Sequence, residues 1–481
     1  MSVIVVGAGP TGLTLAGDLA AAGVPVKILE RRAEESNLTR AFAVHARTLE
    51  MLDMRGLADG LIAQGIQVPQ VRVHLKGAEL AFDIRHPDSR FPYVLILRQA
   101  RTEAALEERA RDLGVEIVRG AEVTGLTQDA DGVTLALSAG GSERADYVAG
   151  CDGAHSAVRR LLGVGFAGKS YDTRILLADV LLKRPLPLAV NPFIGDDGAA
   201  LLPPYGDGWF RATIWDRTGQ HLPIDQPVDI EEVRDSLRRI AGDDLGLAEM
   251  SWSTRFLSER RQARAYRVGR VFLAGDAAHV HSPLGAMGMS TGIQDAANLS
   301  WKLAAACQGW APPWLLDSYQ SERHPVGRTV LRLTDLLRRL ADAPAPVRLL
   351  RPYLAPALIN NPKISEKARL TLSGLGIHYP VPDGVPASPL TGRRLPDLPI
   401  GSGRLYERLR GRYLLIDATT AHETARPWHD RVDVLPTGGP AVYDEATTLL
   451  IRPDGYLAWT ATHPGPQQTR QALRQWCGQA R

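Results

Sequence analysis

Three glycines near the N-terminus have the types and spacing needed to bind a phosphate group. The motif GAGPTG at 7–12 follows the apolar run 3–6 and precedes an Ala- and Leu-rich stretch over 13–22. In such a turn Gly7 permits the sharp bend, Gly9 lets the backbone approach a pyrophosphate, and Gly12 lets helix and strand pack closely. The free N–H groups at the start of the helix favour an anion.

A carboxylate stands where a dinucleotide site needs one. Glu30 lies at the end of the predicted second strand, 25–30, a short helix after the glycines. At that position a carboxylate accepts hydrogen bonds from ribose hydroxyls. A glycine-rich turn with an unrelated surface Glu would explain the parts but not their spacing. Residues 2–30 are therefore predicted to form a dinucleotide-binding βαβ unit.

A second glycine motif far along the chain indicates which dinucleotide binds. Residues 270–274 read as a buried strand that ends at Gly275 and Asp276, whose carboxylate can accept from a ribitol hydroxyl. The loop 283–292 is poor in side chains and leads into a predicted helix over 293–307. Its N–H groups and the helix dipole suit the N1–C2=O2 edge of a flavin. Together the two motifs indicate FAD.

The chain resembles the class A flavoprotein monooxygenases, the para-hydroxybenzoate hydroxylase family. It is most similar to the branch with aromatic polyketide hydroxylases and rifampicin monooxygenase, over nearly its whole length. The matching segments are 7–12, Glu30, Thr39-Arg40 with 45–48, Gln99 with 102–103, 151–153, 275–276 and 294–303.

The resemblance implies a role for each FAD-binding position. Glu30 would hold the adenosine ribose, Arg40 and Gln99 would contact the ribityl–pyrophosphate part, and Val123 would meet adenine through its backbone. Asp152 would lie near the pyrophosphate and a visiting nicotinamide cofactor. The implied FAD-binding residues are Gly7, Gly9, Thr11, Gly12, Glu30, Arg31, Arg40, Gln99, Val123, Asp152, Gly275, Asp276 (on the ribitol), and Pro283, Gly288, Met289 and Ser290 (on the isoalloxazine ring).

Two residues depart from the family pattern in the flavin loop. The family loop usually reads Gly-Gly-Gln-Gly-Met-Asn, whereas 285–290 reads Gly-Ala-Met-Gly-Met-Ser. Met287 replaces an amide that can hydrogen-bond near the flavin, and it could instead fill space against a substrate. Ser290 replaces an Asn that usually contacts the pyrimidine edge. FAD binding should survive these changes, which bear on the oxygen chemistry.

The middle of the chain changes character and predicts a substrate-binding sheet. Strands are predicted at 176–182, 199–202 and 208–215, joined by Pro- and Gly-rich turns, with a helix over 230–240 beside them. Its aromatic side chains could stack on an aromatic ligand, although core packing explains them equally well. The substrate-binding candidates are Tyr205, Trp209, Arg211, Trp215 and, from the flavin loop, Met287.

These elements predict an α/β chain (α+β overall) of three domains. A Rossmann-like FAD-binding domain would span 1–175 and 268–378, with a helical extension, and the antiparallel substrate-binding sheet domain 176–267 is inserted in it. The Pro-rich stretch 379–399 reads as a linker. The resemblance implies that 390–481 is a thioredoxin-like domain, and because it lacks a CxxC pair no redox role is expected.

Composition and spacing exclude several other kinds of site and partner. The net charge is +3 with basic residues dispersed, which gives no nucleic-acid signal. His279 and His281 alone make a weak metal site, so no metal is expected. Asp295 and Lys302 are interpreted as members of structural ion pairs.

The N-terminal sequence and the cysteines indicate where the protein resides. No signal peptide or membrane span is predicted, and the widely spaced Cys151, Cys307 and Cys477 suit free thiols in a cytoplasmic protein. The Leu-rich helix predicted at 317–342 packs internally or forms a dimer face, so a monomer and a homodimer both stay open.

The resemblance implies an FAD-dependent monooxygenase that uses NADPH, or NADH, and O2. It would hydroxylate a polycyclic aromatic polyketide or antibiotic through a flavin C4a-hydroperoxide. No side chain stands out as a general base, and a single GxGxxG predicts that the nicotinamide cofactor binds transiently. The alternatives are Baeyer–Villiger oxygenation, a non-oxygenating flavoprotein that shapes an unstable intermediate, and a non-enzymatic scaffold.

Overall fold

The N-terminal motif follows Val3–Val6, an interior strand of a six-stranded, mostly parallel sheet, and so lies at the carboxyl end of that strand. In spatial order the strands are Arg267–Val268, Val271–Leu273, Tyr147–Gly150, Val3–Val6, Val26–Glu30 and Glu116–Arg119. Only the first of these runs antiparallel to its neighbour. The computed structural model describes residues 1–34, 41–75, 78–283, 285–341, 356–357, 360–385, 387–400, 402–416, 421–435 and 447–480.

Helices cover this sheet and bury its apolar strands. Val3–Val6 is buried at every residue, as expected for a central parallel strand. The helices Pro10–Ala21, Gln99–Asp112 and Gly288–Cys307 pack on or beside it. Gly288–Cys307 begins five residues before the predicted start, so Gly288 to Ser290 form its first turn. Glycine disfavours helix, but burial of this helix along most of its length outweighs that preference.

A nine-stranded, largely antiparallel sheet forms the second layer. Its longest pairing joins Phe166–Leu182 to Leu247–Ala263. The sheet extends beyond 176–267, because Pro192–Ile194 pairs with a hairpin that precedes it in sequence. The strands in order are His279–Val280, Leu247–Ala263, Phe166–Leu182, Trp209–Asp216, Gly198–Leu201, Pro192–Ile194, Gln70–Leu75 and Ala78–Asp83, with Pro204–Gly206 beside Trp209–Asp216.

One face of the second sheet is covered by the helix Ile230–Ala241. This helix begins at Asp229, whose carboxylate accepts from the Glu232 N–H at 2.8 Å, and it ends at Gly242 with φ +80°. Its apolar stripe packs against alternate residues of the strand Trp209–Asp216. The other alternate residues therefore face the FAD-binding layer.

The segment 142–150 divides between two sheets. Ser142–Ala145 pairs with Val133–Leu137, which pairs with Val123–Gln128. Tyr147–Gly150 instead enters the main sheet beside Val3–Val6. The division falls at Asp146, whose carboxylate accepts from the Ser2 N–H at 2.7 Å. This bond ties the start of Tyr147–Gly150 to the start of the neighbouring strand Val3–Val6.

A four-stranded sheet forms the C-terminal domain, in the order Val432–Leu435, Tyr413–Ile416, Thr447–Ile451, Leu457–Thr462. The first pair is parallel and the others are antiparallel. The stretch 379–399, predicted as a linker, is attached to its surroundings at several points. Tyr379 is fully buried, and single bridges join His378 to Arg393 and Arg394 to Tyr456.

The remaining elements are short, apart from the helix Ser318–Ala341. A small sheet joins Ala43–Val44, Val94–Ile96 and Ile66–Val68. Other helices and strands are Ala46–Asp53, Ala58–Ile62, Ala157–Leu161, Thr218–His221, Gly275–Ala277, Pro362–Ser373, Pro399–Ile400, Gly403–Arg404, Leu405–Arg408, Ala421–Ala425, Arg426–Trp428 and Pro466–Cys477. Among the described helices, none has both the length and the apolar character needed to cross a membrane.

Candidate functional site

The glycine turn has the geometry of a phosphate cradle. Gly7 has φ +108°, and a Cβ there would lie 2.5 Å from the Cys151 carbonyl oxygen. A Cβ at Gly12 would overlap the Gly7 carbonyl, so both positions require glycine. At Gly9, by contrast, a Cβ would meet no described atom within 4 Å. Gly9 therefore opens onto free space at the N-terminus of Pro10–Ala21, where a pyrophosphate would fit.

Glu30 stands beside this turn and is ionised. It is 4% exposed and accepts hydrogen bonds from the Ala8 N–H at 2.7 Å and the Arg32 N–H at 3.0 Å. Burial raises its pKa, but the Arg32 side chain and these backbone donors outweigh burial and lower the pKa below 4.5. Arg32 pairs with Glu30, whereas Arg31, the residue predicted to contact FAD, is exposed. No local pattern in the sequence distinguished Arg32 from Arg31.

A pocket of about 400 Å³ opens next to Glu30. Ala8, Arg32 and Glu103 line it. Gln99, at the first residue of the helix Gln99–Asp112, accepts from the Ala41 N–H at 2.8 Å and donates to Glu103 at 2.8 Å. The pocket lies beside the carboxylate that is predicted to hold the adenosine ribose.

Three other residues were predicted to contact FAD on this side: Val123, Asp152 and Arg40. Val123 is buried at the start of its strand. Asp152 accepts from the Ser156 hydroxyl at 2.5 Å and from the Val158 N–H at 3.1 Å, so its carboxylate caps a short helix. Arg40 lies outside the described residues.

The two glycine motifs meet at one hydroxyl group. A Cβ added at Gly275 would lie 2.6 Å from Thr11 Oγ1, and a Cβ added at Gly292 would also overlap that oxygen. Gly275 has φ +61° and turns the chain so that Asp276 is exposed beside the glycine turn. Residues predicted from distant parts of the sequence therefore share one site.

A buried carboxylate under Gly275 holds the second motif. Asp295 accepts from the Gly275 N–H at 3.1 Å, lies 2.6 Å from His279 Nε2, and accepts from Arg323 Nε at 2.6 Å. Burial raises its pKa, but the charges of Arg323 and His279 outweigh burial and lower it. His279 is thus engaged by a carboxylate, and the described residues contain no metal-ligating cluster.

Asp295 and Lys302 do take part in ion pairs, with partners on the helix Ser318–Ala341. Asp295 pairs with Arg323, and Lys302 Nζ lies 2.8 Å from Glu322. Burial raises the pKa of Glu322, but the charges of Arg452 and Lys302 outweigh burial and lower it to about 2.

We expect this depressed pKa to make the protein sensitive to acid. Glu322 stabilises the folded protein fully above its ordinary pKa of 4.5, and this contribution is lost as the pH falls toward 2. The loss attributable to Glu322 is about 3 kcal/mol. Urea denaturation at several pH values measures it, and Glu322→Gln should flatten this acid limb. An unchanged limb in the variant would contradict the assignment.

Residues just after the strand Ala43–Val44 hold the flavin loop by hydrogen bonds. The Ser290 hydroxyl accepts from the His45 N–H at 3.3 Å, and the Ser290 carbonyl accepts from the Thr48 hydroxyl at 3.4 Å. His45 Nε2 lies 3.2 Å from the Gly285 carbonyl oxygen. Met287 is buried. His45 belongs to the matching segment 45–48, but no local pattern predicted its contacts with Ser290 and Gly285.

The substrate candidates fall into two groups on the sheet face toward the FAD layer. The guanidinium groups of Arg98 and Arg211 lie 5.0 and 5.5 Å from the centre of the Tyr205 ring, and Arg211 Nε donates to Asp179 at 2.6 Å. Tyr205 and Ala286 of the flavin loop both pack against the apolar cluster that contains Phe42 and Leu201.

The second group is apolar. Trp215 belongs to a cluster with Ile175 and Leu177. Trp209 is half-buried and shares this face by strand alternation. The structure thus brings Tyr205 and Arg211 together with the flavin loop and places Trp215 apart from them.

Two family models match the chain. "FAD binding domain" matches residues 1–334, and "Aromatic-ring hydroxylase, C-terminal" matches residues 388–480. The chain is 39% identical to 12-dehydrotetracycline 5-monooxygenase/anhydrotetracycline 6-monooxygenase of Streptomyces rimosus subsp. rimosus, over 99% of this chain and 98% of that protein. It is also 39% identical to rifampicin monooxygenase of Streptomyces venezuelae, over 99% of both.

The chain is also similar to two solved structures and to one relative with a different name. The anhydrotetracycline hydroxylase OxyS of Streptomyces rimosus has a TM-score of 0.84 and 37% identity, over 100% of this chain and 99% of that one. A ternary complex of aklavinone-11 hydroxylase with FAD and aklavinone has a TM-score of 0.80 and 26% identity, over 99% of both chains. Dialkyldecalin synthase of Streptomyces rugosporus is 34% identical over 100% of this chain and 99% of that protein.

Proposed function

Because the chain belongs to the FAD-dependent aromatic-ring monooxygenase family, we propose that it hydroxylates a polycyclic phenol of the polyketide or antibiotic type. The reaction would use NADPH or NADH together with O2. The observation that carries the proposal is the meeting of the two glycine motifs at Thr11, which brings the two predicted halves of the FAD site together. Relatives of similar sequence are named for tetracycline and rifampicin oxygenation.

The geometry of the site supports a set of proposed FAD contacts. Gly9 and the start of the helix Pro10–Ala21 would bind the pyrophosphate, Glu30 the adenosine ribose, and Asp276 the ribitol. Pro283 and the turn Gly288–Ser290 would line the isoalloxazine ring. Bound FAD supplies the activation of O2 with electrons from the nicotinamide cofactor.

Around the ring, the chain's own residues position the reactants and exclude water. The helix N-terminus at Gly288 favours negative charge at the flavin edge. The apolar cluster around Phe42, Ile96 and Leu201 would keep the reacting face dry. Catalysis on this view depends on placement, with no side chain needed as a general base.

Domain bounds and assembly are proposed from the same observations. The FAD-binding domain would span 1–175 and 268–378, the substrate domain 176–267, and a thioredoxin-like domain 390–481. A four-stranded sheet with one parallel and two antiparallel pairings supports the thioredoxin-like assignment. We propose a cytoplasmic protein that is a monomer or a homodimer.

The proposal is tested by turnover with a panel of polycyclic phenols. Purified protein loaded with FAD is mixed with NADPH or NADH and each phenol in air, and products are analysed by mass spectrometry. Substrate-stimulated nicotinamide oxidation with a gain of one oxygen at a ring carbon is expected. A lactone would indicate Baeyer–Villiger oxygenation instead. Ligand binding with neither oxidation nor oxygen gain would contradict the proposal.

A non-oxygenating function is the second candidate. The observation in its favour is the similarity to dialkyldecalin synthase, together with Met287 and Ser290 in place of the family's Gln and Asn. In that case the ligand would be converted to an isomer of equal mass without nicotinamide oxidation. The same mass measurement therefore separates the two candidates.

Tyr205 is expected to bind a substrate oxygen. Burial raises the pKa of its hydroxyl, so it stays protonated and can donate, and the nearby guanidinium groups of Arg98 and Arg211 favour an electron-rich oxygen. Tyr205→Phe should raise KM for a phenolic substrate about 3- to 10-fold, the cost of one hydrogen bond. Binding of the analogue in which hydrogen replaces that hydroxyl serves as the control, because it offers no oxygen to accept from Tyr205. An equal loss of affinity for the phenol and this analogue would contradict a hydrogen bond from Tyr205.

A further inference from the structure

A tight turn in the C-terminal domain penetrates the FAD-binding layer. The turn Arg452–Gly455, here named the brace turn, joins the strands Thr447–Ile451 and Leu457–Thr462. Arg452 is 1% exposed and Asp454 is 3% exposed. The two side chains pair with each other, since Arg452 donates to Asp454 from Nε at 2.9 Å and from Nη2 at 2.6 Å, and both residues have further partners in other parts of the molecule.

The first set of partners leads to the helix that carries the flavin loop. Arg452 donates through both terminal nitrogens to the two oxygens of Glu322, at 2.8 and 2.9 Å. The same carboxylate accepts from Asn298 Nδ2 at 2.6 Å and from Lys302 Nζ at 2.8 Å. Asn298 and Lys302 lie on Gly288–Cys307, so one carboxylate links the brace turn to that helix.

The second set of partners leads to the helix Ala46–Asp53. Arg47 Nη2 donates to the Asp454 carbonyl at 2.6 Å, and its guanidinium lies 4.8 Å from the centre of the Tyr456 ring. Arg47 stands between His45 and Thr48, the two residues that hold Ser290. The brace turn therefore contacts both elements that fix the first turn of the flavin-loop helix.

The close approach of the brace turn depends on its last residue. Gly455 has φ +79°, and a Cβ there would lie 2.8 Å from Met54 Cε and 3.4 Å from Arg47 Nη2. A glycine satisfies both the backbone conformation and the close packing. The turn is thus shaped to fit against the FAD-binding layer.

We propose that Arg452 and Asp454 are positioning residues for the flavin. They set the placement of the N-terminus of Gly288–Cys307 and so determine how its N–H groups meet the isoalloxazine ring. Rigid support behind a site is what holds its direct contacts in productive geometry. The inference rests on the proposed FAD-dependent function and gives the C-terminal domain a role in it.

Two variants and a matched control test whether the brace turn positions the flavin. The variants are Arg452→Met and Arg452→Lys. Lysine keeps the charge but cannot donate to both Glu322 and Asp454, so it should give an intermediate effect. Leu414→Ala is the control, because Leu414 is 1% exposed in an apolar cluster of the C-terminal domain, and its truncation removes apolar packing but none of the polar contacts of the brace turn.

Two readouts distinguish positioning from general destabilisation. In the FAD-free protein, hydrogen exchange over residues 288–298 should be faster in Arg452→Met than in the wild type or Leu414→Ala. In the loaded protein, the dissociation constant for FAD should rise at least ~10-fold, with a shift of the visible flavin absorption band. Both are measured at a temperature where each variant retains its far-UV spectrum.

Equal effects of Arg452→Met and Leu414→Ala on exchange and on FAD binding would overturn the proposal. If Arg452→Met does not fold, Arg452→Lys decides by the same comparison. A wild type that binds no flavin would refute the proposed function, whereas the exchange comparison in the FAD-free protein would still decide the role of the brace turn.

Discussion

Gly9→Val is expected to lower FAD affinity about 100-fold while the fold stays intact. The backbone at Gly9 has φ −83° and ψ 178°, which valine adopts readily, and a Cβ there meets no described atom within 4 Å. The new side chain would instead occupy the space that the pyrophosphate must enter. A 100-fold loss corresponds to about 2.7 kcal/mol of binding free energy.

Equilibrium titration of the FAD-free protein measures this effect, with thermal unfolding as the stability readout. Gly60→Val is the matched control, because a Cβ at Gly60 also meets nothing within 4 Å but lies on the helix Ala58–Ile62, away from the turn. Normal FAD affinity in Gly9→Val would show that the pyrophosphate binds elsewhere.

Asp295→Ala is expected to be the most destabilising of the substitutions considered. It leaves the Arg323 guanidinium, which has no exposed surface, without its carboxylate, and it also removes the acceptor of the Gly275 N–H. Breaking a buried ion pair by removing one partner costs about 3–5 kcal/mol. Urea denaturation measures the loss in the free energy of unfolding.

Asp317→Ala gives the contrast that makes the result interpretable. Asp317 also pairs with an arginine, Arg267, at 2.7 Å, but its side chain is 77% exposed. The loss there should stay below about 1 kcal/mol, as for surface ion pairs generally. Equal losses at the two positions would contradict the structural importance assigned to Asp295. The double variant Asp295→Ala, Arg323→Met should recover part of the loss, because no buried charge then lacks a partner.

The sequence predicted the parts of the site that depend on local spacing. The turn at 7–12, the strand Val26–Glu30 and the turn at 275–276 are each set by a few consecutive residues, because backbone conformation and helix N-termini are local properties. The family assignment from ordered motifs is confirmed by the matching models and relatives. The individual FAD and substrate contacts stay predictions.

The sequence did not predict the contacts that join distant segments. Asp295 is 28 residues from Arg323, and Arg47 is 407 residues from Asp454. No spacing rule connects such pairs, since they are fixed by how helices pack. The burial of Tyr379 and Leu395 was missed for the same reason, because the prolines of 379–399 indicate irregular backbone but not which of its side chains are covered.

The contact of Thr11 with Gly275 and Gly292 has a consequence for how the protein is made. The first half of the dinucleotide site leaves the ribosome early, but it stays incomplete until the strand Val271–Leu273 inserts beside Tyr147–Gly150. Closing so long a loop of chain is a slow step in folding. Flavin present during synthesis would therefore bind only a nearly finished chain, and by binding only the closed form it would pull that late step to completion.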